Sequence, residues 1–400
     1  MKTIALSFRY LWSRPLHTVL NLLLLTLGLA SITFVVLVSA QVGRAFERDL
    51  AGIDLVVGAK GSPMQLILAG VFHIDVPPGN IALAEVKALQ ADAQVARLIP
   101  ISMGDAFGGH RIVGTTQDWL AHYRLRMTQG QSWARPLEAV LGAQAASATG
   151  LKTGDSFIGN HGLGGGGHAH GETPYRVAGV LAACGCVADR LILTSLESVW
   201  QVHEKAMAVD EEDRKLLEDE REVTMALITY RSPLSAVTFP RLVNNTTNLQ
   251  AAAPAVEVTR LLRLLGVGSE VIQGLAAVLL LTATLSVFIA LWNAVRERRA
   301  DLAMLRMLGA GPVRVAALLL CEALWLALLA SVLGLAAGHG LTALAGAALA
   351  AQGSLPITGW TWVAQEAWIP LAAVAAAFLA ALLPALSAWR LDVAPLLNAR

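Results

Sequence analysis

The chain has 400 residues, of which 55% are hydrophobic and 15% charged, with a net charge of +1 and a mean hydropathy of +0.58. Soluble domains carry roughly a quarter charged residues, so this composition points to lipid as the solvent for much of the chain. The near-zero charge argues against a nucleic-acid partner, because neutralising phosphates takes a concentrated basic surface. Three cysteines, Cys184, Cys186 and Cys321, are too few for a disulfide framework.

Taken in order, residues 1–15 form a cytoplasmic or interfacial N-terminal helix, and residues 16–43, free of Asp, Glu, Lys and Arg, form the first membrane span. That run exceeds the roughly 20 apolar residues a helix needs to cross the hydrocarbon core. Val38-Ser39-Ala40 resembles a signal-peptide cleavage site, but the run is far longer than the ~7–15 residues of a signal h-region, so an uncleaved anchor is expected.

Residues 44–266 are long enough for an independently folded extracytoplasmic domain. Strands are expected over 175–181 and 191–194, and helices over 82–93 and 195–208, which predicts an α+β fold. The dense charge run 210–222 reads as a solvated helix or loop, or as an acidic docking patch. Residues 254–265 place Val256, Val258, Leu261, Leu262, Leu264 and Leu265 between Glu257, Arg260 and Arg263, the pattern of an amphipathic stalk or interfacial helix.

The second span covers 267–295, a cytoplasmic segment 296–314, the third span 315–351, a short periplasmic loop 352–366, the fourth span 367–389 and a cytoplasmic tail 390–400. Glu322 is a carboxylate inside the third span, costly in lipid unless paired, and therefore marks a functional or interhelical contact; Cys321 beside it is expected to pack. Gly334 and Gly338 have small-xxx-small spacing, which suits either packing within the subunit or a dimer seam. Lys2, Arg9 and Arg14 precede the first span, Arg296, Arg298, Arg299, Arg306 and Arg314 separate the second and third, and Arg390 and Arg400 follow the fourth, whereas loop 352–366 has no basic residue. By the positive-inside rule both termini are cytoplasmic and residues 44–266 lie outside, in the periplasm of a bacterial inner-membrane protein. The expected fold is an α-helical membrane protein with four transmembrane helices and an α+β extracytoplasmic domain inserted between helices 1 and 2.

Motifs for chemistry are sparse. No G-x-x-x-x-G-K-[ST] phosphate cradle, G-x-S-x-G elbow or H-E-x-x-H zinc motif is present, so no catalytic residues are assigned and nucleotide hydrolysis falls to a partner. Residues 162–167 match G-x-G-x-x-G literally but follow no clear strand and open no helix, so no nucleotide cofactor is assigned. The glycine-rich loop carrying His161, His168, His170 and Glu172 offers imidazoles and a carboxylate suited to Zn(II), with His203 a further candidate and His110 and His122 as other imidazoles; the alternative is a solvated loop with incidental histidines. A disulfide between residues two apart is geometrically strained, so Cys184 and Cys186, on the periplasmic side, are expected as a thiolate metal pair, a labile redox pair or two small buried apolar residues.

The segment from Ala294 through Arg296-Glu297-Arg298-Arg299 and Leu302, Leu305, Arg306, Leu308 and Gly309 to Ala310 closely resembles the R-E-R-R-x-x-[IL]-A-x-L-R-x-L-G-A motif of FtsX-like and MacB-like ABC permeases. Ala388-Trp389-Arg390-Leu391-Asp392-Val393-Ala394-Pro395-Leu396-Leu397 is similar to the close of the same families, and Arg14-Pro15-Leu16-His17-Thr18 to their entry motif, with His17 where a basic residue is usual. The resemblance covers essentially the whole chain. It implies a homodimer, or a pair with a close relative, above two copies of a cytoplasmic ABC ATPase that binds ATP, with Arg296, Glu297, Arg298, Arg299, Leu302, Leu305, Arg306, Leu308 and Gly309 as the coupling element. It also implies that ATP binding moves the periplasmic domains. Residues 179–190 look like the G-V-L-x-x-T-G-T-x-x-D-R segment of one branch, with cysteines in place of threonines. That branch is associated with zinc-regulated operons encoding His-rich periplasmic proteins. Two expectations result: a permease subunit for divalent-metal handling, or a mechanotransmission subunit acting on a lipoprotein carrier, an efflux adaptor or a hydrolase.

Overall fold

The computed structural model describes residues 2–13, 15–161, 173–207, 217–218, 220–297, 299–350 and 357–390. It divides into a helical unit, residues 1–43, 264–351 and 355–400, and a periplasmic unit, residues 44–263 with 352–354.

Among the described residues the strands are β1 Leu55–Ala59, β2 Ile81–Ala82, β3 Val95–Phe107, β4 His110–Thr115, β5 Met127–Gly130, β6 Glu138–Leu141, β7 Ser156–Phe157, β8 Asn160–His161, β9 Tyr175–Leu181, β10 Ile192–Ser195, β11 Glu222–Val223, β12 Met225–Tyr230 and β13 Leu249–Ala252. The helices are α1 Lys2–Leu11, α2 Pro15–Leu50, α3 Pro63–Gly70, α4 Leu83–Gln90, α5 Gln117–His122, α6 Ala143–Thr149, α7 Leu196–Met207, α8 Ser235–Thr246, α9 Pro254–Glu297, α10 Arg299–Met307, α11 Pro312–Ala350 and α12 Trp368–Trp389.

In the periplasmic unit eleven of the described strands form one mixed sheet in the order β13-β1-β12-β3-β4-β10-β6-β9-β5, with β7 on β9 and β8 on β3, and β2 and β11 pair separately as an antiparallel ribbon. β1 runs antiparallel to β12 (Leu55 opposite Ile228), whereas β4 and β10 pair in parallel (Ile112 opposite Ile192), as do β6 and β9 (Ala139 opposite Val177). The alternation of β9, whose Tyr175, Val177, Gly179 and Leu181 are buried between less buried neighbours, is the period of a half-buried strand. Two cores result. One gathers Leu55, Val57, Leu98, Ile228 and Phe239; the other gathers Ile112, Leu141, Phe157, Tyr175 and Ile192. Local signals agree with these elements. Ser62 caps α3 by accepting the Gln65 N–H (3.4 Å) ahead of Pro63, and α6 stops at Gly150 in the left-handed region (φ +72).

Among the described residues four helices are long and apolar enough to span a membrane: Pro15–Leu50, Ala277–Glu297 within α9, Pro312–Leu349, and Ala364–Trp389 including the turn before α12. The first reaches seven residues past the charge-free run, because Arg44 to Leu50 continue the helix as part of the periplasmic unit.

Inside the helical unit, α12 turns Ala373, Ala377, Ala381, Ala385 and Ala388 inward, while Leu371, Phe378, Leu379 and Leu383 are exposed. Without a hydrophobic drive between helices in lipid, small residues at the contact let backbones approach, and large ones suit the acyl chains. Gly334 and Gly338 follow the same logic. A Cβ on Gly334 would stand 2.6 Å from Leu29 Cβ, and one on Gly338 would stand 2.5 Å from Thr33 Cβ, so this pair of glycines packs α11 against α2 of the same chain. The loop before α12 is tied to α2 by Gln41, which donates to the Thr358 carbonyl and accepts its N–H, both at 2.9 Å.

Candidate functional site

Three regions bear on function, one on each side of the membrane spans and one within them. On the cytoplasmic side, α10 ends in a Schellman turn: Gly309, at φ +93, donates to Arg306 O (3.1 Å) and Ala310 to Leu305 O (3.0 Å). The helix is amphipathic. Leu302 (3% exposed) and Ala303 are buried, with Leu302 packed in the core that includes Val295, Val315 and Leu319, and Leu305 lies half-buried against that core. Met304, Met307 and Leu308 (84% exposed) form an apolar ridge on the other side. Of the residues expected to couple, Leu302 and Leu305 therefore hold the helix in place and Leu308 faces outward. Arg299 opens α10, Arg296 and Glu297 close α9, Arg306 lies in the last turn, and Arg298 lies outside the described residues. Met304 and Met307 escaped the motif-based reading, although their spacing with Leu308 (i, i+3, i+4) is the signal that marks one helix face.

Within the spans, Glu322 is 3% exposed and lines a cavity of about 170 Å³ together with Tyr10, Thr18, Asn21, Ser286 and Asn293. Ser286 Oγ donates to Asn21 Oδ1 at 2.6 Å, joining α9 to α2. Polar side chains buried among apolar helices hold register, because the alternative is an unmet hydrogen bond in hydrocarbon.

On the periplasmic side the Zn(II) expectation is corrected. Among the described residues no three His, Cys, Asp or Glu side chains gather into a group able to hold a metal ion. Cys184 and Cys186 are joined in a disulfide, which removes the thiolates a metal would need. His203 packs beside β3, its Nε2 3.4 Å from where a Cβ on Gly104 would stand. His110 donates from Nδ1 to the Arg190 carbonyl (2.8 Å), and His122 Nδ1 receives the Arg97 guanidinium (3.2 Å), so both imidazoles serve local contacts. The backbone of His161 pairs with Asp105 at the edge of β3, and His168, His170 and Glu172 lie outside the described residues.

The disulfide organises the corner where α2 ends. Asp189 Oδ1 accepts the Cys184 N–H (2.9 Å) and Oδ2 the Gly185 N–H (2.7 Å), while Asp49 Oδ1 accepts from Val187 N and Arg48 Nε, both at 3.3 Å. Tyr123 donates its hydroxyl to the Asp49 carbonyl at 2.9 Å. Burial raises the Asp49 carboxyl above its usual range, opposed by the neighbouring Arg48, and burial also lowers the His122 imidazole, helped by Arg97.

Four spans, a mixed α+β domain inserted after the first and an amphipathic cytoplasmic helix after the second define a multi-pass inner-membrane permease with a large periplasmic domain. Residues 18–257 match the MacB-like periplasmic core domain and residues 274–393 the FtsX-like permease C-terminal family, and the chain belongs to the FtsX-like and MacB-like permeases of the ABC transporter family. It is 26% identical over 367 residues to the pyoverdine export ATP-binding/permease protein PvdT of Pseudomonas fluorescens (strain Pf0-1), a match covering 86% of this chain and 51% of that protein. The chain thus spans about half the length of this curated relative. Among solved structures it is similar to the periplasmic region of MacB from Actinobacillus actinomycetemcomitans (9% identity, TM-score 0.35, covering 53% of this chain and 95% of that one). It is also similar to the extracellular domain of the noncanonic ABC-type transporter YknZ from Gram-positive bacteria (11% identity, TM-score 0.31, covering 50% and 98%).

Proposed function

We propose that the chain is a mechanotransmission permease: a partner ATPase grips the cytoplasmic helix α10, and the resulting motion of the membrane helices displaces the periplasmic domain to act on a periplasmic partner such as a lipoprotein carrier, an efflux adaptor or a hydrolase. The observation that carries this reading is the exposed ridge of Met304, Met307 and Leu308 on a helix that Leu302 pins to the membrane core. Flexible methionines beside a leucine make a surface that fits a hydrophobic cleft on an intracellular protein. The ATP-binding/permease name of the Pseudomonas relative supports ATP as the energy source. α2 and α9 are long uninterrupted helices, of 36 and 44 residues, and a continuous helix is a stiff lever for transmitting displacement. In this reading two ATPase copies serve a pair of permeases, and no resident metal takes part.

The test is coexpression with the ATP-binding subunit and purification in detergent. The wild-type chain should carry the ATPase with it, and Met304→Asp combined with Leu308→Asp should weaken that association at least a hundredfold, because losing two buried apolar side chains is worth about 3–6 kcal/mol. Both positions are exposed in the chain itself, so the variant should keep the wild-type melting temperature. A wild-type chain that brings no ATPase with it, or a variant that keeps it in full, would overturn the assignment.

A further inference from the structure

In the periplasmic domain, a cleft of about 540 Å³ opens where the last turn of α2, the turn after α5 and the disulfide loop meet. Arg48, Arg97, Arg124 and His122 line it beside Cys184 and Cys186, and none of the described residues lining it is acidic. The Asp49 carboxylate behind the cleft, 1% exposed, accepts from both Arg48 Nε and Val187 N, each at 3.3 Å. Each basic group is placed by a separate device. Gly185, at φ +63, sits against the Arg48 guanidinium, so that a Cβ there would stand 3.5 Å from Nη1, and the disulfide-closed turn supplies the shape that leaves this room. Arg97 donates to His122 Nδ1 (3.2 Å), which keeps that imidazole neutral and holds the guanidinium at the mouth. Arg124 adopts the left-handed conformation (φ +51), uncommon for a residue with a side chain and concentrated at ligand sites.

Asp49 neutralises Arg48, so Arg97 and Arg124 leave the cleft net positive, and the planar donor pairs of a guanidinium match the oxygens of a phosphoryl group. A carboxylate offers a single charge and two oxygens, whereas the terminal phosphoryl group of a monoester or diphosphate offers up to about two charges and three oxygens. We propose that this cleft is a binding site for a terminal phosphoryl group, that of a phosphate monoester or a diphosphate, carried by a periplasmic solute.

The experiment titrates inorganic pyrophosphate into the purified full chain in detergent, at ionic strength held constant with sodium chloride. Saturable binding is expected. It should weaken at least tenfold in the double variant Arg97→Gln, Arg124→Gln, which removes two charge-assisted donors from exposed positions without disturbing the core, and stay unchanged in Arg241→Gln, an exposed arginine outside the cleft. The same titration in phosphatidylcholine nanodiscs with and without phosphatidylglycerol separates a solute from a phosphodiester headgroup. Equal binding supports a solute site, and weaker binding in the presence of phosphatidylglycerol would overturn it. Absence of saturable binding, retention of full affinity in the double variant, or an equal loss in Arg241→Gln would overturn the proposal.

Discussion

His73 follows α3 in a left-handed conformation (φ +53), with Nδ1 3.2 Å from Met103 Sδ and Nε2 buried without a hydrogen-bond partner among the described residues. Burial, reinforced by Arg111 and Arg190, pushes its imidazole from the ordinary 6.5 down to about 3. The folded chain therefore binds fewer protons than the unfolded one between those values, and stability is lost as pH falls from about 6.5 toward 3. Between pH 7 and pH 5 the loss is about 2 kcal/mol. Thermal melts across that range should show this drop in the wild type and lack it in His73→Asn, a residue that tolerates the left-handed conformation; the same slope in both would acquit His73. A second histidine works differently. His339 donates from Nδ1 to the Gly359 carbonyl (2.6 Å) and shares a proton between Nε2 and Glu366 Oε2 (2.8 Å), while Glu366 Oε1 accepts the Val363 N–H (2.8 Å). With side chains 13% and 4% exposed, this is a hydrogen-bonded pair whose disruption strands a buried polar group. His339→Ala should lower stability by about 1–3 kcal/mol, and Glu366→Gln, which keeps an acceptor, by less. Equal losses in chemical denaturation would contradict the hydrogen-bond account.

At the scale of elements, the Gly334 and Gly338 spacing in α11 left two packing partners open on sequence grounds, and the structure selects α2 of the same chain. A branched side chain at Gly338 would drive into Thr33 and the Ala30 carbonyl. Gly338→Val should cost about 1–3 kcal/mol as an overpacked helix contact, whereas Gly340→Val, with open space where its Cβ would lie, should be close to neutral. The melting temperature in detergent reads both, and a variant that changes oligomeric state without lowering that temperature would return the glycines to a seam between subunits. α10 carries the same lesson with opposite sign. Its leucine spacing was visible as an amphipathic pattern, yet the pattern alone did not say that Leu302 faces the core while Met304, Met307 and Leu308 face outward.

For the whole molecule, the four spans, their orientation and the α+β class of the inserted domain were legible from residue order. Each rests on a local quantity: an unbroken apolar run long enough to cross the bilayer, arginines flanking it on one side, and alternating burial along segments such as Tyr175–Leu181. The family motif after the second span was legible for the same reason, being contiguous. The metal reading shows the limit of that approach, since His203 and the cysteine pair share a ligand chemistry in sequence but not a place in space, and the cysteines bond to each other. Only the tertiary structure decided the rest. Arg48, Arg97 and Arg124 come from a helix end, a strand and a turn far apart in the chain, and they share a cleft because α2 ends against the disulfide loop and α5. Contacts of that kind depend on which elements pack together, a property of the whole fold that no stretch of neighbouring residues encodes.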